Sequence, residues 1–331
     1  MGSFRALLLA AAATSLAAIA QGRPLAEATA MAADADADCA CYKAAADSTA
    51  HFANRKFFDF RHIADPATPA PIAGGSAADA AAGATHPYFS TAAWADTWRV
   101  QSWQAPGQGV PRVNSPNNVF IAAAASDDDD GDDAASTHLT LRTLRRADYQ
   151  STAEIESADA DYQFLTVRMR ARSRGDPGAV TALFTYTEKG GGVQEADIEF
   201  RTITNTSVVQ YTNQPGVVGG EERPEATRVV ELGGRPWTEW REHRYDWTPG
   251  SSDWYVDGAR VASIRFQAPT APLSVLLNAW SDGGVWSGVM AAGGQAEMQI
   301  QWLDLAYNRS SQPAADAGAC QRVCVIDELI G

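Results

Sequence analysis

From residue 57 to residue 305 the chain is a succession of strand-length runs divided by turn residues, with almost no helical periodicity. The runs fall at 57–63, 119–123, 138–144, 162–172, 180–187, 194–201, 207–212, 242–247, 254–256, 260–266, 273–279 and 297–305. Several alternate cleanly: Leu165, Val167 and Met169 oppose Phe164, Thr166 and Arg168, the period-2 pattern of a strand with one buried face. Asp257-Gly258 lies between two such runs and predicts a tight hairpin, and Thr248-Pro249-Gly250 predicts the turn before it. With 45% apolar residues the chain can bury a full core, so these runs predict an all-β sandwich rather than disorder.

The two ends add a covalent constraint. Residues 1–20 read as a secretory signal peptide: Arg5 supplies the positive start, 6–16 the short apolar stretch and Ala18-Ile19-Ala20 the small-residue cleavage site. Residues 21–38 are rich in Ala and Asp and predict a disordered segment. The cysteines are Cys39, Cys41, Cys320 and Cys324. In a secreted chain they predict disulfides. A Cys39–Cys41 bond would close a strained one-residue loop, which leaves two cross-pairings, both tying the start of the domain to its end. The expectation is a single domain over 39–324 with a tail at 325–331. Two sequons, Asn205-Thr206-Ser207 and Asn308-Arg309-Ser310, predict glycosylation at Asn205 and Asn308 on surface loops.

Charge narrows the partners. Asp and Glu total 40 against 26 Lys and Arg, a formal net charge of −14. A polyanion partner needs clustered Lys and Arg, so no nucleic acid is expected, and no docking to an anionic membrane surface. A neutral substrate fits better, and a monomeric state is expected. Residues 127–133 form an acidic run, which offers Asp128, Asp130 and Gly131 in the order of an EF-hand loop. The closing Glu position holds Thr137, so the run reads as a solvated loop.

The chemistry concentrates in Glu195-Ala196-Asp197-Ile198-Glu199-Phe200. On a strand Ala196, Ile198 and Phe200 face the core, and Glu195, Asp197 and Glu199 stand in a row on the other face. Like charges this close repel, so an inert strand has no reason to carry them. Retaining glycosidases supply a reason: a nucleophilic carboxylate and a carboxylic acid about 5–5.5 Å apart. Glu195 and Glu199 are about 13 Å apart along the backbone at ~3.3 Å per residue. Their side chains must therefore lean together over Asp197, as a concave sheet allows.

These residues resemble the E-x-D-x-E signature of glycoside hydrolase family 16, the laminarinase and lichenase superfamily. Flanking segments resemble it in the same order: Ala179 to Thr187, Val209 to Asn213, His243 to Pro249, Trp254 to Gly258 and Leu277 to Gly284. The resemblance covers residues 57–308. It implies a concanavalin A-like β-jelly-roll of two curved antiparallel sheets and a retaining mechanism, with Glu195 as nucleophile, Asp197 assisting and Glu199 as acid/base. It also implies a secreted β-1,3- or β-1,3/1,4-glucanase, extracellular or in the cell wall. A cell-wall glucan or chitin–glucan transglycosylase of the same mechanism and a non-catalytic lectin are the alternatives. The cysteine pairs at each end resemble secreted fungal members most. No organic cofactor is implied, and a structural calcium on the convex side is allowed without an identifiable ligand set. Arg201-Thr202-Ile203 departs from the Leu-Gly that usually follows the signature.

Ten tryptophans suit a glycan cleft, because sugar C–H faces stack on aromatic rings. Asn278, Trp280 and Trp286 are candidate substrate-binding residues in the family-like segment. Tyr211 and Asn213, on the strand expected beside the acidic one, are candidates too. Trp247 and Trp254 are expected in the core, and His243 is expected to be structural.

Overall fold

Among the described residues, 17 strands form one continuous hydrogen-bonded sheet that turns back on itself to make two layers. The computed structural model describes residues 39–107, 109–125, 135–189, 191–312, 318 and 320–329, and these belong to one compact unit. The signal peptide, the 21–38 segment and the acidic run at 127–133 lie outside the described residues.

The inner layer runs Trp98–Val100, Gln150–Ser157, Ser274–Trp280, Val180–Thr187, Gln194–Arg201, Val208–Gln214, Thr227–Glu231, each antiparallel to the next. The outer layer is built on two long strands, Tyr162–Gly175 and Gln295–Arg309, paired to each other. Arg241–Thr248, Ser251–Val256 and Ala259–Ile264 extend it on one side; Asn54–Asp59, Thr137–Arg145 and Val119–Ala123 extend it on the other. The Gln150–Ser157 strand also pairs with Arg112–Asn114 and Thr137–Arg145, so it passes from one layer into the other.

Alternation explains the two layers. Leu165, Val167, Met169 and Ala171 of the outer layer and Ala196, Ile198 and Phe200 of the inner one meet in a single core. Trp247 and Trp254 are fully buried there, and Tyr245 stacks on Trp254 with ring centroids 5.3 Å apart. Each such side chain contributes roughly 1.5–3 kcal/mol by leaving water. The expected hairpin is present: Asp257 and Gly258 take φ of 49° and 75°, the two positive values of a type I′ turn.

The predicted strands recur, those at Val119–Ala123, Val180–Thr187 and Gln194–Arg201 with the expected ends and the others with shifted ones, the first moving from 57–63 to Asn54–Asp59. Gln150–Ser157 went unpredicted although Ala153 and Ile155 alternate with Thr152, Glu154 and Glu156. The short strands Trp98–Val100, Trp103–Ala105 and Arg112–Asn114 also went unpredicted, since three residues carry no readable period.

The two ends of the described domain meet on the outer layer. Cys39 bonds Cys324 and Cys41 bonds Cys320, and Cys41–Lys43 pairs in parallel with Val323–Val325. The expected tail at 325–331 is corrected here: Ile326 is fully buried against Tyr42, Phe52 and Ala306, so the domain continues to at least this residue. The glycosylation expected at Asn308 is also corrected. Asn308 is buried, its Nδ2 donates to the His51 carbonyl at 2.9 Å and its Oδ1 accepts from the Ala53 N–H. Asn205 is exposed at a turn.

Candidate active site

Register decides which side chains share the concave face, because residues directly opposite one another on paired strands project to the same side. Glu195 lies opposite Tyr186 and Gln214, Asp197 opposite Phe184 and Thr212, and Glu199 opposite Ala182 and Gln210. Further along the same rung, Ala182 lies opposite Asn278, and Asn278 opposite Glu154. The three expected carboxylates therefore share a face with Asn278, as predicted, and with Glu154, which was not. The methyl group of Ala182 leaves space between Glu199 and Asn278. These residues, with Trp103, Arg112, Asn114, Thr152 and Trp280, line a cavity of ≈ 440 Å³.

Tyr211 and Asn213 do not reach this face, and their assignment to the substrate is corrected. They lie opposite Ile198 and Ala196, the core-facing residues of the acidic strand. Tyr211 is fully buried beside Trp254, and Asn213 Nδ2 donates to the Phe266 carbonyl at 3.0 Å. Their polar neighbours Gln210, Thr212 and Gln214 face the cleft instead. Trp286 comes from the loop after the Ser274–Trp280 strand and reaches the far end of the trio, where its Nε1 donates to Glu199 Oε1 at 3.1 Å.

The electrostatics differ along the row. Asp197, in the middle, is 2% exposed. Burial first, then the charges of Glu195 and Glu199, drives its carboxyl well above the usual carboxylate range. Gln214 Nε2 donates to its Oδ2 at 2.9 Å and opposes the rise. Burial also raises Glu195, but a hydrogen bond with Asp197 works against it. These causes favour the protonated form of Asp197. Glu199 is pushed up to about 7, chiefly by burial and then by the charge of Glu195, against the Trp286 N–H and the Arg201 charge. The row thus sets a carboxyl raised to about 7 at one end and, at the other, a carboxyl whose rise by burial Asp197 opposes.

The unpredicted part of the site closes the cavity. Trp103 Nε1 donates to Glu154 Oε1 at 3.2 Å, and the Arg112 guanidinium lies 5.7 Å from the ring centroids of both Trp103 and Trp280. Thr152 Oγ1 donates to Asn114 Oδ1 at 2.6 Å. Burial raises Glu154, opposed by Trp103 and Asn278. His243 is away from all of this, buried edge-on against Phe200 and lowered to about 3 by burial, hence neutral. Among the described residues no cluster of His, Cys, Asp and Glu is arranged to hold a metal ion, so the calcium allowed by resemblance gains no ligand set.

The profile of the Glycosyl hydrolases family 16 matches residues 118–304, more than half of the chain and all of the acidic strand. The chain is 31% identical over 135 residues to a beta-glucanase of Paenibacillus polymyxa, covering 40% of this chain and 54% of that protein. It is 31% identical over 131 residues to a beta-glucanase of Bacillus subtilis, covering 38% and 52%. It thus spans about half the length of these curated relatives. A prokaryotic beta-1,3-1,4-glucanase (lichenase) from a mouse hindgut metagenome shares the fold, with a TM-score of 0.50 and 18% identity over 77% of this chain and 99% of that one. These proteins are bacterial or prokaryotic, and they give the fungal likeness no support. With the carboxylate row set on the concave layer of a jelly-roll and the family profile running through it, the chain belongs to the glycosyl hydrolases of family 16.

Proposed function

We propose that the protein is a secreted, retaining endo-β-glucanase acting on β-1,3- or β-1,3/1,4-linked glucan. The observation that carries the reading is the unequal pair of carboxyls across Asp197. Burial pushes Glu199 up to about 7, whereas Asp197 opposes the rise that burial causes at Glu195. Two carboxyl groups pushed apart in this way suit opposite roles in one step.

In the first step a Glu195 carboxylate oxygen attacks the anomeric carbon while the bond from that carbon to the leaving oxygen breaks. The leaving oxygen takes the Glu199 proton. The resulting ester removes the charge of Glu195, one of the causes holding Glu199 high, so Glu199 becomes a better base. In the second step it takes a proton from water, whose oxygen attacks the same carbon and frees Glu195. Two inversions leave the anomeric configuration unchanged. Asp197 returns its hydrogen bond to Glu195 as the carboxylate re-forms. Trp103, Phe184, Tyr186 and Trp280 offer ring faces and edges to sugar C–H surfaces, and Asn278 and Gln214 offer neutral polar groups.

The disulfides favour an oxidising compartment, and no described helix is long and apolar enough to cross a membrane. The test incubates laminari-, cello-, mixed-linkage and chitin oligosaccharides with the protein and with Glu195→Gln. Mass spectrometry reads product length and proton NMR the first-formed anomer. Shorter β-anomeric products, reduced by at least about 10²–10⁴-fold in the variant, are expected. Chains longer than the starting material would move the reading to transglycosylation, and unchanged glycans would overturn it in favour of a lectin.

A further inference from the structure

Trp286 departs from the usual behaviour of an aromatic residue at a sugar site. One face of its ring is covered by its own protein: the Arg201 guanidinium carbon lies 3.9 Å from the ring centroid. Arg201 Nε also donates to the Trp286 carbonyl at 3.1 Å. The indole edge is spent as well, on Glu199 Oε1, while Glu199 Oε2 has no hydrogen-bond partner. The loop carrying Trp286 is fastened independently. Asp282 Oδ1 accepts from the Gly284 N–H and the Ser287 hydroxyl, each at 2.8 Å. Gly288 takes φ +79°, and a Cβ there would meet Ile203 Cγ2 at 2.5 Å. Only glycine lets the loop close onto the residues that follow the acidic strand.

We infer that Arg201 and Trp286 are positioning residues, a stacked pair that orients the Glu199 carboxyl and regulates its strength as a proton donor. This rests on the role proposed for Glu199 and adds its control. The geometry supplies the mechanism. A cation packed behind the indole makes its N–H a stronger donor, and that N–H stabilises the ionised form of the carboxyl it touches. The other groups around Glu199 cannot substitute. Glu195 and Asp197 on its own strand oppose ionisation, Ala182 and Gln210 on the flanking strands are uncharged, and beyond them stand Asn278 and then Glu154. Asp282 in the loop is occupied by Gly284 and Ser287. Arg201 occurs where the family resemblance leads one to expect leucine, so the device belongs to this chain's own sequence.

The test reads Glu199 directly. Carbon-13 NMR of carboxyl-labelled glutamate, with the Glu199 signal assigned by its loss in Glu199→Gln, gives the midpoint in the resting protein. Trp286→Phe keeps an aromatic ring and removes the N–H; Arg201→Met keeps an unbranched apolar stem and removes the charge. Each variant is expected to move the midpoint upward from about 7 by about one pH unit. The alkaline limb of the pH–rate profile should follow, with KM little changed. Arg201→Lys, which keeps charge but not the planar stack, should fall between and confirm that the fold is intact. A midpoint unmoved in both variants, with KM alone rising, would overturn the inference and leave Trp286 a sugar platform. Because the midpoint needs no substrate, absence of turnover on every glycan would contradict the proposed function and leave this result standing.

Discussion

The two layers of this protein handle buried charge in opposite ways. On the outer layer each buried carboxylate is answered by arginine. Arg55 and Asp304 make a forked pair at 2.8 and 2.9 Å with side chains only 3% and 1% exposed. Arg244 reaches the buried Asp246 at 3.2 Å, and the buried Arg168 reaches the exposed Asp327 at 2.6 Å. On the inner layer three carboxyls share a strand, answered by two uncharged donors, Gln214 and Trp286, and by the charge of Arg201 beside Glu199. Paired charge on the outer face ties the termini to the sheet. Unpaired charge on the inner face keeps protons in place where a reaction needs them, and it weakens the fold.

The comparison breaks most sharply at its paired side. Asp304→Asn leaves the Arg55 guanidinium buried without its carboxylate, and urea unfolding should show a loss of about 3–5 kcal/mol. Turnover of the surviving folded protein should be close to that of the parent, since Asp304 lies on the outer layer. The unpaired side should respond with the opposite sign. Glu199 rises from an ordinary 4.5 to about 7 on folding, so the folded state binds more protons than the unfolded one between these values. Its contribution therefore falls as pH rises through that window and is fully adverse above it. Glu199→Gln, which cannot ionise, should melt about 2–4 °C higher than the parent at pH 8, with the difference vanishing near pH 4 in a calorimetric series. A variant that melts lower at pH 8 would refute the claim that this carboxyl is held against stability. The smallest effect belongs to the solvent-exposed pair of Arg260 with Asp253 at 3.6 Å, where the arginine side chain is 62% exposed. Arg260→Ala should change stability by less than about 0.5 kcal/mol.

The acidic strand was legible in the sequence because its two faces differ so strongly: three apolar residues against three acids leave one orientation. The neighbouring strand was not. In Val208–Gln214 both faces carry polar residues, Gln210, Thr212 and Gln214 against Asn213, so polarity alone does not say which face is wet. A shift of one residue exchanges the faces completely, and only the pairing of Asn213 with Ala196 settles the matter. Glu154 was missed for another reason. Its strand alternates, but its partners Asn278 and Trp103 are distant in sequence, and the short strand that brings Trp103 has no period to read. The ends show the same division. Spacing excluded one disulfide pairing, and the choice between the other two depended on how the terminal strands align.

The central claim is that Glu195 attacks the sugar while Glu199 supplies the proton. The most direct measurement uses a 2-deoxy-2-fluoro glucan oligosaccharide with a dinitrophenyl leaving group, which forms a glycosyl ester faster than water removes it. Intact-mass and peptide mass spectrometry should find one sugar adduct on the peptide at Glu195, absent from Glu195→Gln and formed still in Glu199→Gln, because this leaving group departs without a proton. An adduct at Glu199, or dinitrophenol release with inversion and no adduct, would contradict the account.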